Sequence, residues 1–150
     1  MEQDIEFMEL AYQEALKCLD KDEVPVGTVI VRNNQVIARG HNLRETTNLA
    51  TAHAEIIAIN EACKKLNSWY LDECSLYVTL EPCIMCSGAI INSRIKRVVF
   101  GAFENRWLAL TTIYDSNFPV NHKPEITSGI LQDKCSLIIK EYFKNKRKMK

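Results

Sequence analysis

The stretch LYVTLEPCIMCSGAI, residues 76–90, decides the fold of this 150-residue chain. SLYVTL at 75–80 is a short, mostly apolar run that predicts a strand, and Glu81-Pro82 bounds it. Residues 83–93 then favour a helix, on which Cys83 and Cys86, three positions apart, share one face. The stretch therefore predicts a strand that leads directly into a helix carrying two thiols side by side.

Strands and helices alternate on both sides of this stretch. The sequence predicts a helix over 3–20, a hairpin over 26–41 that turns at Asn33-Asn34, a helix over 51–66 capped by Thr51, a strand over 97–102, an irregular segment over 103–125 and a helix over 128–147. This alternation within one chain indicates a layered α/β fold.

The composition is that of one globular domain spanning residues 1–150. Apolar residues make up 47% of the chain and charged residues 25%. No run approaches the roughly 20 apolar residues of a membrane helix, and the N-terminal MEQDIEFMEL lacks the basic and then apolar pattern of a secretory signal. We therefore expect a cytoplasmic protein with no membrane partner.

The charge is unevenly distributed, although the net charge is zero. The tail over 144–150, KNKRKMK, holds five basic residues, and the preceding 143 residues carry 14 basic against 19 acidic residues. A basic tail either follows a phosphate backbone or forms a solvated helix end. The sequence leaves both interpretations open.

Three residues in two motifs predict a metal site. His53 lies in TAHAE at 51–55, and Cys83 and Cys86 lie in PCIMC at 82–86. One imidazole and two thiolates are zinc ligands, and three protein ligands leave a fourth position for water, whereas a closed structural site recruits a fourth protein ligand. The remaining cysteines are interpreted as small buried apolar residues: Cys18, Cys63, Cys74 and Cys135.

Glu55 is the candidate proton carrier. Because two thiolates offset the charge of the metal, a nearby base becomes useful for activating water, and Glu55 would pass the proton to a ring nitrogen and then to leaving ammonia. His53 and Glu55 would point to nearly opposite sides of a regular helix, a conflict that relaxes if the metal lies beyond the first turn. The residues also allow a structural zinc knuckle with a solvated Glu55, or no metal.

The combination H-x-E followed by P-C-x-x-C is the signature of zinc-dependent nucleobase deaminases. The chain resembles the bacterial tRNA-specific adenosine deaminases of the cytidine deaminase-like superfamily. The resemblance runs through EVPVG at 23–27, TAHAE at 51–55, the stretch 76–90, SRI at 93–95, RVVFGA at 97–102, and Asn121-His122 ahead of Glu125-Ile126.

The resemblance implies a three-layer α/β/α fold around a mixed five-stranded sheet, one Zn2+ per chain, and a homodimer with active sites near the subunit interface. It also implies hydrolysis of adenosine to inosine at the wobble position of an arginine tRNA anticodon, where the stem-loop leaves the base single-stranded. It implies that His53, Cys83 and Cys86 are the zinc ligands and that Glu55 is the proton shuttle. It also implies five substrate contacts, which are Asn42, Val26, Ala54, Glu104 and Arg106. For Asn42 a strand-end cap is the alternative role, and for Val26 an ordinary core position.

The segment after Gly101-Ala102 departs from this family. The family continues with an acidic residue, a lysine and several glycines, whereas this chain continues with FENRWLALTT at 103–112, in which Glu104 and Arg106 take the acidic and basic positions. Because glycines let a backbone approach a ligand closely, this segment must be shaped differently. Trp107 is either a base-stacking residue or a buried aromatic.

Three functions therefore remain open. They are a tRNA adenosine deaminase, a deaminase of a free base or nucleoside of the guanine or cytosine type, and a non-enzymatic RNA-binding module stapled by zinc. The extended resemblance and the basic tail favour the first function, and the altered segment favours the second. Glu55 argues against the third, because a purely structural zinc site has no use for its carboxylate.

Cys86→Ala is expected to lose both bound zinc and ammonia release, because the remaining two ligands hold the metal too weakly. Elemental analysis of the purified protein and an ammonia assay check this. Cys63→Ala is the matched control, since it removes a thiol outside both motifs, and it should keep both properties. A Cys86→Ala protein with a full complement of zinc would contradict the assignment.

Overall fold

Five strands form one mixed sheet at the centre of the molecule. The computed structural model describes residues 2–117 and 119–149, and its strands are β1 (Gly27–Arg32), β2 (Gln35–His41), β3 (Ser75–Leu80), β4 (Arg97–Ala102) and β5 (Glu125–Ser128). Their order across the sheet is β2-β1-β3-β4-β5. β1 pairs antiparallel with β2 and β3, whereas β3, β4 and β5 run parallel. The expected mixed five-stranded sheet is confirmed.

Helices cover both faces of this sheet. They are α1 (Glu2–Leu16), α2 (Arg44–Thr47), α3 (Ala54–Leu66), α4 (Ile84–Asn92), α5 (Leu110–Asp115) and α6 (Gln132–Lys148), with a short 3-10 helix at Leu19–Lys21. Successive strand residues point to opposite faces. Val29 therefore packs in one apolar cluster with α1 and α6, and Ile30 packs in another with α3 and α4. The expected three layers are confirmed.

The hairpin between β1 and β2 turns at Asn33 and Asn34, as the sequence predicts. Their φ angles are 53° and 61°, and a two-residue turn with both central residues at positive φ matches the twist of the flanking strands. Asparagine tolerates this left-handed backbone better than most residues do. The predicted strands over 75–80 and 97–102 also coincide with β3 and β4.

The first helix is shorter than expected. The prediction of 3–20 was wrong at its end, because α1 stops at Leu16. The amides of Lys17 and Cys18 donate to carbonyls three residues back, which tightens the last turn and ends the α-helix. Beyond this point the chain forms the short 3-10 helix, and Leu19 is 47% exposed, so the apolar face does not continue.

The helix expected over 51–66 begins at Ala54, so Thr51 is not its N-cap. The amide of Ala54 donates instead to Oδ1 of Asn42 at 2.9 Å. The cap therefore comes from the residue after β2, and Thr51 lies instead in a turn, where its carbonyl accepts from the amide of His53. A side chain distant in sequence has replaced the local cap that the sequence suggested.

The C-terminal part contains more regular structure than expected. The segment over 103–125 includes α5, and its last residue begins β5. The helix predicted over 128–147 begins at Gln132, because Ser128 ends β5 and because Gly129 and Leu131 have φ angles of 82° and 56°. It continues through most of the basic tail to Lys148. Within 2–117 and 119–149, no helix combines the length and apolar character that crossing a membrane requires.

Gly40 lets α3 approach β2 closely. A Cβ atom at this position would lie 2.4 Å from the carbonyl oxygen of Ala54 and 3.1 Å from the amide of Ala58. Gly40→Ala should therefore lower the free energy of unfolding by about 1–3 kcal/mol, the usual range for overpacking. Urea denaturation checks this prediction.

Gly88→Ala is the matched control. No atom lies within 4 Å of a Cβ placed at this helical position, so alanine should raise the free energy of unfolding by about 0.5–1 kcal/mol through helix propensity. A Gly40→Ala protein as stable as the wild type would show that α3 does not need this close approach.

Candidate active site

Three side chains converge where α3 and α4 begin. His53 is the N-cap residue of α3, Cys83 is the N-cap residue of α4, and Cys86 lies in the first turn of α4. Nδ1 of His53 lies 3.6 Å from the sulfur atoms of both Cys83 and Cys86, and the three ligand atoms lie within 4.8 Å of one another. In the described part of the chain this is the one group of side chains that meets the geometry of a metal site.

The electrostatics of this group suit a cation. A hydrogen bond from the Cys86 thiol, with a further one from His53, lowers the pKa of Cys83 to about 4. The same hydrogen bond and burial raise the pKa of Cys86, and the hydrogen bond to Cys83 raises the pKa of His53. The lowered pKa favours the thiolate form of Cys83, and the N-terminus of α4, where Cys83 is the N-cap residue, favours it as well. Two sulfur donors and one imidazole fit zinc and leave a fourth position open.

The remaining cysteines behave as the sequence predicts, with one qualification. Cys18, Cys74 and Cys135 are buried and Cys63 is half-buried, and all four are free thiols. Burial raises the pKa of each of the four. They are therefore protonated packing residues, in contrast to the Cys83–Cys86 pair.

Glu55 lies in the first turn of α3 and is 3% exposed. Burial is the main cause that raises the pKa of its carboxyl to about 7. The backbone of His53 is extended, with φ −78° and ψ 155°, so His53 is not part of the helix. The opposed directions expected for His53 and Glu55 on a regular helix therefore do not arise.

The candidate zinc ligands and Glu55 lie at the floor of an open cleft of about 710 Å3. The cleft is lined by His53, Glu55 and Cys83 together with Val26, Asn42, Glu104, Arg106, Trp107 and the end of α6. Val26 is also 5% exposed and belongs to the core, so the core position expected as its alternative role is observed. Ala54 is buried behind the cleft. Contact of these residues with substrate stays a prediction.

Asn42 connects the cleft to the backbone on both sides. Its Nδ2 donates to the carbonyl of Val24 at 2.9 Å, and its Oδ1 accepts from Ala54. The amide of Ala54, a residue expected to contact substrate, is thus engaged by Asn42. The capping role considered for Asn42 is observed, although at a helix rather than at the end of its own strand.

Glu104 and Arg106 lie together at the cleft mouth. The guanidinium of Arg106 donates to both carboxylate oxygens of Glu104, each at 2.9 Å. This pair lowers the pKa of Glu104. Trp107 is 65% exposed and lines the cleft, so it is not a buried aromatic.

Two buried glutamates, which the sequence did not single out, hold the cleft walls. Glu81 accepts from the amide of Glu104 at 3.2 Å, and from the amide and hydroxyl of Thr111 at 2.7 and 2.6 Å. Glu23 accepts in the same way from Glu45 and Thr46. Each carboxylate caps a short helix, α5 and α2 respectively, from a distant point in the chain. The sequence feature that could have indicated these two glutamates is their position: Glu23 lies inside EVPVG, and Glu81 directly precedes PCIMC.

The end of α6 forms a further part of the cleft that sequence analysis missed. Tyr142, Phe143 and Lys146 line it. The hydroxyl of Tyr142 and the ammonium of Lys146 both donate to Asp22, beside the 3-10 helix. In the sequence these aromatic residues fit the apolar face of a helix, and nothing in that pattern indicates which neighbour the face contacts.

Comparison with known proteins agrees with this site. The family model of the cytidine and deoxycytidylate deaminase zinc-binding region matches residues 1–102. A tRNA-specific adenosine deaminase of Bacillus subtilis (strain 168) is 45% identical over 154 residues, covering 100% of this chain and 94% of the relative. One of Streptococcus pyogenes serotype M1 is 40% identical over 152 residues, covering 100% and 89%.

A solved structure from studies of A-to-I editing by tRNA:A34 deaminases at the wobble position of transfer RNA is also similar. It superposes with a TM-score of 0.84 at 40% identity, covering 89% of this chain and 98% of the other. The chain therefore belongs to the zinc-binding cytidine and deoxycytidylate deaminase family. The expectation of a zinc-dependent deaminase is confirmed.

Glu81→Gln should loosen the segment over 104–111, because an amide group replaces one of the two acceptor oxygens and turns donors toward donors. Hydrogen exchange at the amides of Glu104 and Thr111 should accelerate about 10- to 100-fold, as loss of about 1–3 kcal/mol implies. Zinc content should stay at the wild-type level.

Glu73→Gln is the control for this variant, since Glu73 forms an exposed ion pair with Arg32. It should leave the exchange of the segment unchanged. Unchanged exchange in Glu81→Gln as well would mean that other contacts anchor the segment.

Proposed function

We propose that this protein is a hydrolytic deaminase that converts adenosine to inosine at the wobble position of a tRNA anticodon, with arginine tRNA as the expected substrate. The observation that carries the proposal is the convergence of His53, Cys83 and Cys86 beside the buried carboxyl of Glu55, at the floor of an open cleft. That arrangement matches the three-ligand site and separate carboxylate that nucleobase deamination uses.

In this proposal His53, Cys83 and Cys86 hold one zinc ion. When bound, the zinc supplies a Lewis acid that makes water nucleophilic near neutral pH. Glu55 moves the proton. The water oxygen adds to C6 of adenine, and Glu55 takes one proton from the water and delivers it to ring nitrogen N1. Glu55 then moves the second proton, from the new hydroxyl at C6, to the exocyclic amine; the C6–N6 bond breaks, ammonia leaves, and C6 becomes the carbonyl of inosine. Burial raises the pKa of the Glu55 carboxyl, which favours the protonated form that such a carrier must pass through.

Two observations support a tRNA substrate over a free base. The relative that covers the whole chain at 45% identity is named for tRNA-specific adenosine deamination. Lys144, Arg147 and Lys148 are exposed on α6, whose end borders the cleft, and their positive charges would attract the phosphates of a polynucleotide.

We further propose that the whole of 1–150 acts as one deaminase domain and that two chains associate. Leu49 and Ile84 are each 58% exposed and lie close in sequence to the candidate ligands His53 and Cys83. Covering such side chains stabilises a dimer. The position of Leu49 and Ile84 agrees with a subunit interface near the active sites.

A cytoplasmic location of the protein stays a prediction.

Inosine formation on an arginine-tRNA anticodon stem-loop tests the proposed function. Ammonia release from free adenine, guanine and cytosine and from their nucleosides is measured alongside. We expect inosine at the wobble position and no turnover of the small molecules. Turnover of a free base with an unmodified stem-loop would overturn the tRNA substrate and favour the second function, which the altered segment 103–112 suggests.

Glu55→Gln tests the proton shuttle in the same assay. Glutamine keeps the shape of the side chain, so the zinc content should equal that of the wild type. The rate of deamination should fall by about 10²- to 10⁴-fold, because the amide cannot carry the proton. Full activity in this variant would exclude Glu55 from proton transfer. Retained zinc with lost activity would exclude a purely structural zinc site.

A further inference from the structure

Trp107 is an exposed aromatic side chain inside the cleft. It lines the cleft whose floor holds Glu55, and 65% of its surface is exposed. It belongs to the segment in which this chain departs from the glycine-rich pattern. Trp69 is similarly exposed at 63%, so position in the cleft, rather than exposure, distinguishes Trp107.

The ring of Trp107 lies against a guanidinium group that is itself held by other residues. The guanidinium of Arg106 lies 5.2 Å from the centre of the Trp107 ring and 5.1 Å from that of Phe143 in α6. Both carboxylate oxygens of Glu104 hold that guanidinium, and Glu81 holds the amide of Glu104. One series of contacts thus extends from the buried Glu81 to the exposed indole.

Several charged residues of the cleft are engaged within the protein. Glu104 pairs with Arg106, Asp22 pairs with Lys146, and Glu81 accepts from backbone amides and a threonine hydroxyl. Lys21, Arg44 and Glu45 also line the cleft and are exposed. Beside the Glu104–Arg106 pair, the exposed indole offers flat, sequence-tolerant contact with a base.

We propose that Trp107 is a stacking platform for one unpaired nucleobase adjacent to the target adenosine. This inference rests on the proposed function, since only a polynucleotide substrate carries a neighbouring base. The target base occupies the floor of the cleft near Glu55, and the indole at the mouth receives the base next to it in the loop. Support by Arg106 gives the platform a fixed position, which lowers the entropic cost of binding.

Tryptophan fluorescence tests the stacking directly, without catalysis. The chain has two tryptophans, and Trp69 packs edge-on against Tyr70 outside the cleft. Trp69→Phe therefore leaves Trp107 as the single reporter. Titration with the anticodon stem-loop should quench its emission. A stem-loop with an abasic site on the stacked side of the target should bind without this quenching, and abasic sites placed 5′ and 3′ identify that side.

Kinetics provide the second readout. Trp107→Ala should lower kcat/KM on the intact stem-loop by about 10- to 100-fold, as loss of one stacked base implies, and Trp107→Phe should recover most of it. On the stem-loop that lacks the stacked base, Trp107→Ala and wild type should differ less than about twofold. A variant that is merely misfolded would lose activity on both substrates alike.

Equal quenching by intact and abasic stem-loops would overturn the stacking role while leaving the proposed function intact. So would an equal loss of kcat/KM on both stem-loops by a Trp107→Ala protein whose zinc content and urea denaturation match those of the wild type. Failure of the proposed function gives a different result, because the wild type would then form no inosine on any stem-loop.

Discussion

The candidate metal site depends on where two helices, α3 and α4, begin. α3 and α4 begin at the same point, and in each the N-cap residue has extended backbone, with ψ near 155° for His53 and 177° for Cys83. A side chain on such a residue projects forward from the helix end rather than back along the helix. The imidazole and the thiol can therefore meet ahead of both helices, where the free amides favour negative charge. The metal site follows from that constraint.

The cleft above the site depends on caps supplied from a distance. Asn42 caps α3, Glu23 caps α2, and Glu81 caps α5, and all three side chains are buried. In each case the start of a helix is tied, by hydrogen bonds that water reaches poorly, to a residue that flanks a strand or precedes it in a loop, and poor access of water strengthens these bonds. The walls of the cleft are therefore fixed by the same residues that join its helices to the core. The arrangement of the residues at the floor of the cleft and the shape of the cleft mouth therefore depend on the same buried side chains.

The sequence predicted the layers, the hairpin turn, two strands and the candidate zinc ligands, because these depend on local periodicity or on a motif of fixed spacing. It did not predict the cap of α3, since Asn42 and Ala54 lie twelve positions apart and only the fold brings them together. Likewise, the apolar face of α6 was visible as a pattern, whereas its contact with the cleft was not. The contacts that the sequence did not predict are those between residues far apart in the chain. Their residue types are ordinary capping and packing residues, so the separation along the chain, rather than the residue type, is what hid them.

Glu81 holds the segment 104–111 mostly by backbone amides, with the Thr111 hydroxyl as the one side-chain donor. Every residue except proline carries such an amide, whatever its side chain. Side chains along the segment can therefore change without removing the two amide contacts to Glu81. The side chains that face the cleft and the backbone atoms that anchor the segment are different atoms of the same residues, so the shape of the cleft mouth can change while the anchor is kept.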